Sequence, residues 1–284
     1  MKVVVLGSSG QLAFDIYRHK PEDVNLIGFT RRDLDVRNKK EMVRILKEIK
    51  PDVVINTAAL VKVDDAEIYE EEALSINAIP QKILGELSCR MGFDVVYIST
   101  DYVFDGKKKE PYTEEDLPNP VNMYGFSKYL GEKLLSSYTD RFYIVRTAAL
   151  FGYQGSRSKG NIVYNLIKKY RKGEYITLID DIYFSPAYTY DVAQQIWRFI
   201  LDKWDYGIYH VVNDGFTSPY GLGLEIFAIL GIHPKIKRVA LKDIPFRARR
   251  PRFSAMKSVR RVKLRPWQEA IAAFIKEIRL ESIP

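Results

Sequence analysis

The chain has 284 residues, 46% of them apolar, and a formal net charge of +8. Its only cysteine, Cys89, excludes an internal disulfide, which is typical of a reducing compartment. No apolar run approaches the roughly 20 residues of a membrane span, and the run before Gly7 is too short for a signal peptide. We therefore expect a cytoplasmic protein with one large core, or with one core and a smaller lobe.

The first half of the chain alternates short apolar runs with helical patterns. Unbroken Val/Ile runs separated by helices are typical of a parallel sheet that is covered on both faces. The sequence therefore predicts an α/β fold with a doubly wound, Rossmann-type parallel sheet, which binds ligands at the carboxyl ends of its strands. The predicted strands are residues 3–6, 24–29, 53–56, 95–99 and 142–146; the predicted helices begin at residue 11, span 38–49, pass through 77–91 and carry residues 124 and 128.

The second half of the chain is less regular. We expect residues 1–152 to form the Rossmann-type domain, with residues 188–212 returning to it, while residues 153–187 and 213–284 mainly form a smaller C-terminal lobe. The elements predicted here are a polar loop at 155–160, helices at 161–170 and 190–201, and strands at 175–179 and 208–212.

A glycine-rich turn, Gly7-Ser8-Ser9-Gly10, follows the first predicted strand and leads into the first helix. Glycine permits positive φ and a close approach of the backbone to a ligand, and a helix N-terminus offers free N–H groups to a pyrophosphate. The turn is therefore a candidate dinucleotide site, made by Gly7, Ser9, Gly10, Gln11 and Leu12. Because the spacing is GxxGxxA and not GxGxxG, a simple turn stays open as the alternative.

The end of the second predicted strand bears on the choice of cofactor. Arg31 and Arg32 stand where an NAD-selective site usually places a carboxylate, and the guanidinium of either can pair with a 2′-phosphate. We therefore predict NADP(H), while the nearby Asp33 and Asp35 keep NAD(H) open. Asp35 and Val36 are expected beside the adenine, and Ala58 and Ala59 beside the pyrophosphate.

Tyr124 and Lys128 are the candidate catalytic pair. If Pro120 and Asn122 open a helix, the four-residue spacing puts both side chains on one face. A nearby ammonium favours the phenolate and lowers the pKa of the phenol, so the tyrosine could exchange a proton with a sugar or alcohol oxygen. Thr100, at the end of the fourth strand, could donate to a carbonyl beside them. The alternatives are a surface turn for the pair and a strand cap for the threonine.

Positive charge is concentrated in residues 235–265, which hold thirteen Lys/Arg and one acid and so carry +12, leaving −4 for the rest of the chain. Such a segment can bind nucleic acid, line a pocket for a phosphorylated ligand, or be a solvated surface. No helix-turn-helix, RRM or zinc-ligand pattern accompanies it, so we do not expect nucleic acid as a partner.

Taken together, Gly7-x-x-Gly10-x-x-Ala13, Ser99-Thr100-Asp101 and Tyr124-x-x-x-Lys128 resemble the extended short-chain dehydrogenase/reductase family. Within it, residues 99–106, residues 124–128 and Arg249-Arg250-Pro251-x-x-Ser254 are most similar to the dTDP-4-dehydrorhamnose reductases, and the likeness covers nearly the whole chain. The resemblance implies an NADP(H)-dependent oxidoreductase of dTDP-rhamnose biosynthesis that reduces the 4-keto group of dTDP-4-dehydro-L-rhamnose.

The same resemblance implies roles for individual residues. Tyr124 would protonate the sugar oxygen, Lys128 would hold the nicotinamide ribose, and Thr100 would polarise the carbonyl, with no metal required. Asp101 would touch the sugar. Arg250 would face the nucleotide diphosphate in the substrate-binding lobe, which gives the basic segment an anionic partner other than nucleic acid.

The chain departs from the family pattern at several positions. Ala148 stands where an aromatic residue commonly packs on the sugar, and Ile182 and Ala187 replace a usual Gln and Thr, so the exact sugar stays open. Tyr102 stands where sugar 4,6-dehydratases carry a glutamate, which favours reduction over elimination. An epimerase or dehydratase, a non-catalytic NADP-binding regulatory subunit of the methionine adenosyltransferase-associated type, and a homodimer all remain open.

Overall fold

The computed structural model describes residues 1–154, 160 and 162–278. Its strands are β1 (Lys2–Leu6), β2 (Asn25–Phe29), β3 (Val53–Asn56), β4 (Asp94–Thr100), β5 (Phe142–Thr147), β6 (Leu150–Phe151), β7 (Ile176–Ile179), β8 (Ala187–Tyr188), β9 (Gly207–His210) and β10 (Ile236–Val239). Among the described residues, six strands form one parallel sheet in the order β2-β1-β3-β4-β5-β9. The predicted Rossmann-type sheet is thereby confirmed.

Helices cover both faces of this sheet. Along β1, Val3 and Val5 belong to one buried cluster while Val4 and Leu6 belong to another, which explains why the strand is an unbroken apolar run. The helices are α1 (Gln11–Arg18), α2 (Lys39–Ile49), α3 (Val63–Ala66), α4 (Glu70–Asn77), α5 (Ile79–Met91), α6 (Met123–Ser136), α7 (Ile162–Arg171), α8 (Thr189–Leu201), α9 (Pro219–Leu230) and α10 (Trp267–Glu277).

The long helix predicted through residues 77–91 is two helices, α4 and α5. Ala78 separates them, and Pro80 lies in the first turn of α5. A proline has no N–H to donate to the carbonyl four residues earlier, so the hydrogen-bond ladder of α4 cannot run on without interruption.

The C-terminal half contains a third buried cluster, which includes Phe151, Leu166, Ile226 and Phe274. Beside it, β7 pairs with β10 and β6 pairs with β8, both in parallel. Most of the predicted polar loop at 155–160 lies outside the described residues. The division of the chain into a dinucleotide-binding domain and a substrate-binding lobe stays a prediction.

The carboxyl ends of β1, β3 and β4 place Leu6, Asn56 and Thr100 along one edge of the sheet, and the candidate residues at 31–36 follow the end of the neighbouring β2 at the same edge. None of the helices in the described part of the chain combines the length and apolar character needed to span a membrane.

Candidate active site

Helix α6 begins where the sequence predicts it. Asn122 is its N-cap, and the side-chain Oδ1 accepts a hydrogen bond from the backbone N–H of Gly125 at 2.8 Å. The Asn122 amide also donates to the carbonyl oxygen of Arg249 at 2.8 Å. The helix start that carries Tyr124 is therefore tied to the basic C-terminal segment.

Gly125 allows α6 to come close to the turn that follows β4. A Cβ atom at this position would lie 2.0 Å from the carbonyl oxygen of Tyr102, a contact that no side chain can make. Tyr102 and Tyr124 consequently meet edge to face, with ring centroids 5.8 Å apart. The sequence shows Gly125 only as a small residue in a helix, whereas the structure shows that its lack of a side chain allows the two tyrosines to meet.

Thr100 and Tyr124 lie together, because the threonine hydroxyl is near enough to the tyrosine phenol to lower its pKa. Thr100 Oγ1 also donates to Asp101 Oδ1 at 3.0 Å and accepts from the backbone N–H of Tyr102 at 3.2 Å. The structure therefore brings together two of the predicted catalytic residues, and the threonine also serves as the cap of the short 3-10 turn at residues 101–103.

Both carboxylate oxygens of Asp101 accept hydrogen bonds from protein side chains. Ser254 Oγ donates to Oδ2 at 2.5 Å, opposite the bond from Thr100 to Oδ1. Burial raises the pKa of Asp101 from 3.8 to about 6, and the two hydrogen bonds oppose that rise. The sequence shows Ser254 only as part of a motif, and its contact with Asp101 becomes visible only in the fold.

The expected lowering of the Tyr124 pKa is wrong for this structure. Burial raises the pKa of the phenol to about 12, because the phenolate loses its hydration, and the nearby hydroxyl of Thr100 only partly opposes this. The phenol is therefore protonated at neutral pH. A residue that gives a proton to an alkoxide must start in this state, and an alkoxide is a stronger base than a phenolate.

Lys128 is buried, with 2% of its surface exposed, and its Nζ atom lies 4.3 Å from the centroid of the Tyr97 ring. Burial lowers the pKa of this lysine from 10.5 to about 7, and the nearby carboxylate of Glu132 opposes the shift. At neutral pH the lysine is therefore near its titration midpoint, which limits how strongly it can favour a phenolate at Tyr124.

The glycine turn has the geometry that a pyrophosphate needs. Gly7 has φ of 79°, and a Cβ atom there would lie 2.7 Å from the backbone nitrogen of Ala58. The N-cap of α1 is Gly10, and no side chain there accepts a hydrogen bond from the first N–H groups of the helix, so no cap competes with a ligand for them. These residues fit a dinucleotide whose pyrophosphate lies against the turn.

Some of the other residues predicted to bind the cofactor have buried side chains, and others are partly exposed. The side chains of Leu12 and Val36 belong to the two core clusters, so only their main chains can face a ligand. Ser9 and Ala59 lie near the turn and are partly exposed. The Gln11 side chain donates to the carbonyl oxygen of Leu150 at 3.3 Å and so connects α1 to the segment after β5.

Arg31 and Asp35 lie in a charged cluster at the end of β2. Arg31 pairs with Asp35 at 3.8 Å and with Glu72 at 3.6 Å, and 63% of its side chain is exposed. Arg37 makes a closer contact with Asp35, at 2.5 Å, and also reaches Glu72 at 3.7 Å. Sequence reasoning missed Arg37 and Glu72. The two-residue spacing from Asp35 was a usable signal for Arg37, whereas Glu72 lies on α4.

A cavity of about 400 Å³ lies beside the start of α6 and is lined by apolar residues, by one acid, Asp105, and by four cationic residues, Lys107, Arg249, Arg250 and Arg252. Arg250 forms an ion pair with Asp64, and its guanidinium lies 4.5 Å from the centroid of the Phe246 ring. The predicted substrate residue is therefore near the catalytic cluster, already oriented by a carboxylate.

Known proteins resemble this chain over nearly its whole length. A family model described as the RmlD substrate binding domain matches residues 1–280. The spore coat polysaccharide biosynthesis protein SpsK of Bacillus subtilis is 32% identical over 281 residues, 97% of either chain. A dTDP-4-dehydrorhamnose reductase of Aggregatibacter actinomycetemcomitans is 30% identical over 268 residues, 90% of either chain. The solved structure of dTDP-4-dehydrorhamnose reductase from Bacillus anthracis in complex with NADP has a TM-score of 0.92 at 32% identity, covering 98% of this chain and 99% of that one.

Proposed function

The chain belongs to the family described as the RmlD substrate binding domain, and on this premise we propose that it reduces the 4-keto group of dTDP-4-dehydro-L-rhamnose to give dTDP-L-rhamnose, with NADPH as cofactor. The observation that carries the proposal is the proximity of Thr100 and Tyr124 at the carboxyl edge of a Rossmann-type sheet, with Lys128 one helical turn further along α6. Relatives with this activity, and one solved relative that holds NADP, support it.

In this reaction Tyr124 donates its phenolic proton to the sugar oxygen. Its raised pKa keeps the proton in place at neutral pH until the more basic alkoxide develops. Thr100 lies beside the same phenol and donates its hydroxyl proton to Asp101 in the free protein; with substrate bound, this proton would turn to the sugar oxygen, where a donor stabilises developing negative charge. Bound NADPH supplies the hydride.

The turn at Gly7 and Gly10 and the arginines after β2 bind the cofactor in this proposal. The turn and the uncapped start of α1 offer N–H groups to the pyrophosphate, and in this proposal Lys128 binds the ribose next to the nicotinamide. Arg31 and Arg37 provide two guanidinium groups for a 2′-phosphate, which is the reason to assign NADP(H) ahead of NAD(H).

The nucleotide diphosphate of the substrate fits the basic cavity beside α6. Four cationic side chains line it, and the most buried of them, Arg250, leaves only 10% of its side chain exposed. Tyr102 lies between this cavity and Tyr124, at the position where an eliminating enzyme needs a carboxylate base. The site is therefore equipped for carbonyl reduction and lacks the base for dehydration at this position.

The test is NADPH oxidation by the purified protein with a panel of dTDP- and UDP-4-keto-6-deoxy sugars, followed by identification of the product. We expect turnover with dTDP-4-dehydro-L-rhamnose and formation of dTDP-L-rhamnose. Binding of NADP without turnover of any keto sugar would instead indicate a regulatory subunit. Conversion of a sugar without net NADPH consumption would indicate an epimerase or a dehydratase.

The proposal extends to the setting of the enzyme. We place it in the cytoplasm, acting on a small nucleotide-sugar without nucleic acid or membrane, in line with its single cysteine and the chemistry of its substrate. A homodimer is the assembly to test, by light scattering of the purified protein.

A further inference from the structure

A buried ion pair involves α6, the helix that carries Tyr124 and Lys128, and neither of its partners has a role in the proposed reduction. Arg146 on β5 and Glu132 on α6 are joined by two hydrogen bonds, of 3.0 Å from Nε to Oε1 and 2.7 Å from Nη2 to Oε2. Each side chain is 2% exposed. Among the ion pairs of the described residues, this one alone has both partners so deeply buried.

Glu132 is aligned with the catalytic residues along α6. It lies one helical turn after Lys128 and two turns after Tyr124, so the three side chains share one face of the helix. Ser99, next to Thr100 on β4, donates its hydroxyl to Glu132 Oε1 at 2.5 Å. The carboxylate is therefore held from α6, β4 and β5 at once.

The partners of Glu132 are fixed in turn. The Arg146 guanidinium lies 5.3 Å from the centroid of the Phe104 ring, and its Nη1 is 3.5 Å from Nε2 of His210. Burial lowers the pKa of His210 to about 4, so this imidazole is neutral at neutral pH and adds no charge. The nearest acid beyond it, Glu114, accepts a hydrogen bond from the backbone N–H of His210 at 2.9 Å.

The groups around Lys128 lie on β4 and α6. Tyr97 on β4 presents its ring to the ammonium, Tyr124 shares the helix face, and Glu132 is the acid whose charge acts on it. Neutral phenols compensate a buried ammonium poorly, because they carry no countercharge. The carboxylate that Arg146 and Ser99 hold in place is thus the group that can sustain a positive charge on Lys128.

We propose that Glu132 is a positioning residue that favours the protonated form of Lys128 one helical turn from Tyr124, and that Arg146 and Ser99 fix its carboxylate for this purpose. The catalytic meaning of this charge rests on the proposed reductase function, in which an ammonium is needed to bind the ribose and to steady the phenolate left by Tyr124. The charge effect itself does not depend on which sugar is reduced.

The electrostatics give the sign of the effect. Burial already lowers the pKa of Lys128 to about 7, and Glu132 is the group that raises it. Without this carboxylate the pKa falls further, so the lysine is mostly neutral at neutral pH. Activity that requires the ammonium is lost as pH rises through the lysine pKa, and removal of Glu132 moves that loss to lower pH.

The test is an NMR titration of 13C-labelled lysine in the cofactor-free protein, with the Lys128 signal assigned by its absence in Lys128→Met. We expect Glu132→Gln, which keeps the side-chain shape, to lower the titration midpoint of Lys128 by about one unit or more. The alkaline limb of the kcat/KM profile should move down by the same amount, and Glu132→Asp should restore part of both shifts. Glu114→Gln is the matched control and should leave the Lys128 midpoint unchanged.

A second variant protects the test against loss of folding. Glu132→Gln alone leaves the Arg146 guanidinium buried without its countercharge, which destabilises the protein. The double variant with Glu132→Gln and Arg146→Met removes both charges and should fold while still showing the lowered Lys128 midpoint. An unchanged midpoint in the folded double variant would overturn the proposal and leave the pair a purely structural contact. If the Lys128 midpoint shifts but the protein reduces no keto sugar, the role of Glu132 is upheld and only the proposed reductase function is rejected.

Discussion

Arg250 and Asp64 form an ion pair with 3.0 Å between Nη2 and Oδ2, although 186 positions separate them in the sequence. Asp64 also accepts a hydrogen bond from the backbone N–H of Ala248 at 2.8 Å. One carboxylate on α3 therefore orients both the guanidinium and the main chain of the segment that lines the basic cavity.

We expect Arg250→Ala to raise the KM for the dTDP-sugar about 10- to 100-fold, since a charge-assisted hydrogen bond to a phosphate contributes about 1.5–3 kcal/mol. The affinity for NADPH should change little. Steady-state kinetics with each substrate varied in turn measures this. Arg238→Ala is the control, because Arg238 belongs to the same basic segment but is 67% exposed and pairs with Asp180. Equal effects of the two substitutions would speak against the assignment of Arg250.

Tyr124→Phe should bind NADPH normally but lose about two orders of magnitude or more in kcat, because the aromatic ring stays while the proton donor is gone. Cofactor binding can be followed by NADPH fluorescence and turnover by NADPH absorbance. Tyr129→Phe, a neighbouring tyrosine on α6 that packs against the core, is the matched control and should keep its activity. Unchanged turnover in Tyr124→Phe would remove the proposed proton donor.

Arg31→Ala and Arg37→Ala should each weaken NADPH binding more than NADH binding, because only NADPH carries the 2′-phosphate to which we assign the two guanidiniums. Dissociation constants for both cofactors decide this. Arg44→Ala, which removes an exposed arginine of α2 paired with Glu41 and Glu48, should affect neither. If NADPH and NADH lost affinity equally, the 2′-phosphate would lie elsewhere.

Gly7→Ala should destabilise the protein and abolish tight NADPH binding, because its Cβ atom would meet the backbone of Ala58 at 2.7 Å. Gly92→Ala separates this contact from backbone strain. Gly92 has a similar φ, 82° against 79°, but open space around the position of its Cβ. The control should lose only about 1–2 kcal/mol of unfolding free energy and bind NADPH normally. Urea unfolding and NADPH titration of both variants test this.

Because of Asp101, we expect the free energy of unfolding to fall as the pH rises from about 4 to about 7. Burial raises the pKa of Asp101 from 3.8 to about 6, so the folded state keeps a proton that the unfolded state has lost. The stabilisation is fully present below the unfolded pKa and is lost as pH rises through about 6, which amounts to about 3 kcal/mol for a shift of roughly two units.

Asp101→Asn should therefore flatten the fall of the unfolding free energy between about pH 4 and pH 7, as measured by urea titrations at several pH values. Asp105→Asn provides a contrast, because hydrogen bonds lower the pKa of Asp105 despite its partial burial. That variant should instead remove stability that the parent protein gains with rising pH. Parallel pH profiles for the parent and Asp101→Asn would show that the pKa of this carboxyl is the same in the folded and unfolded states.

The local pattern of the sequence determined a large part of this protein. Unbroken Val runs in short strands specified a sheet covered on both faces, and Asn122 three residues before Gly125 specified the start of α6. Once that start is set, the four-residue spacing alone places Tyr124 and Lys128 on one face. The glycine turn was equally local, since the position of Gly7 after β1 predicted its positive φ.

Tertiary structure decided what surrounds these residues. The contacts of Ser254 with Asp101 and of Arg250 with Asp64 join positions more than 150 residues apart, and no local period encodes such pairs. The pKa of Tyr124 depends on the removal of water by the packed chain, a property of the fold that reversed the direction expected from the neighbouring lysine. Spacing along a helix fixes which side chains can meet, whereas burial and distant partners fix which charges they carry.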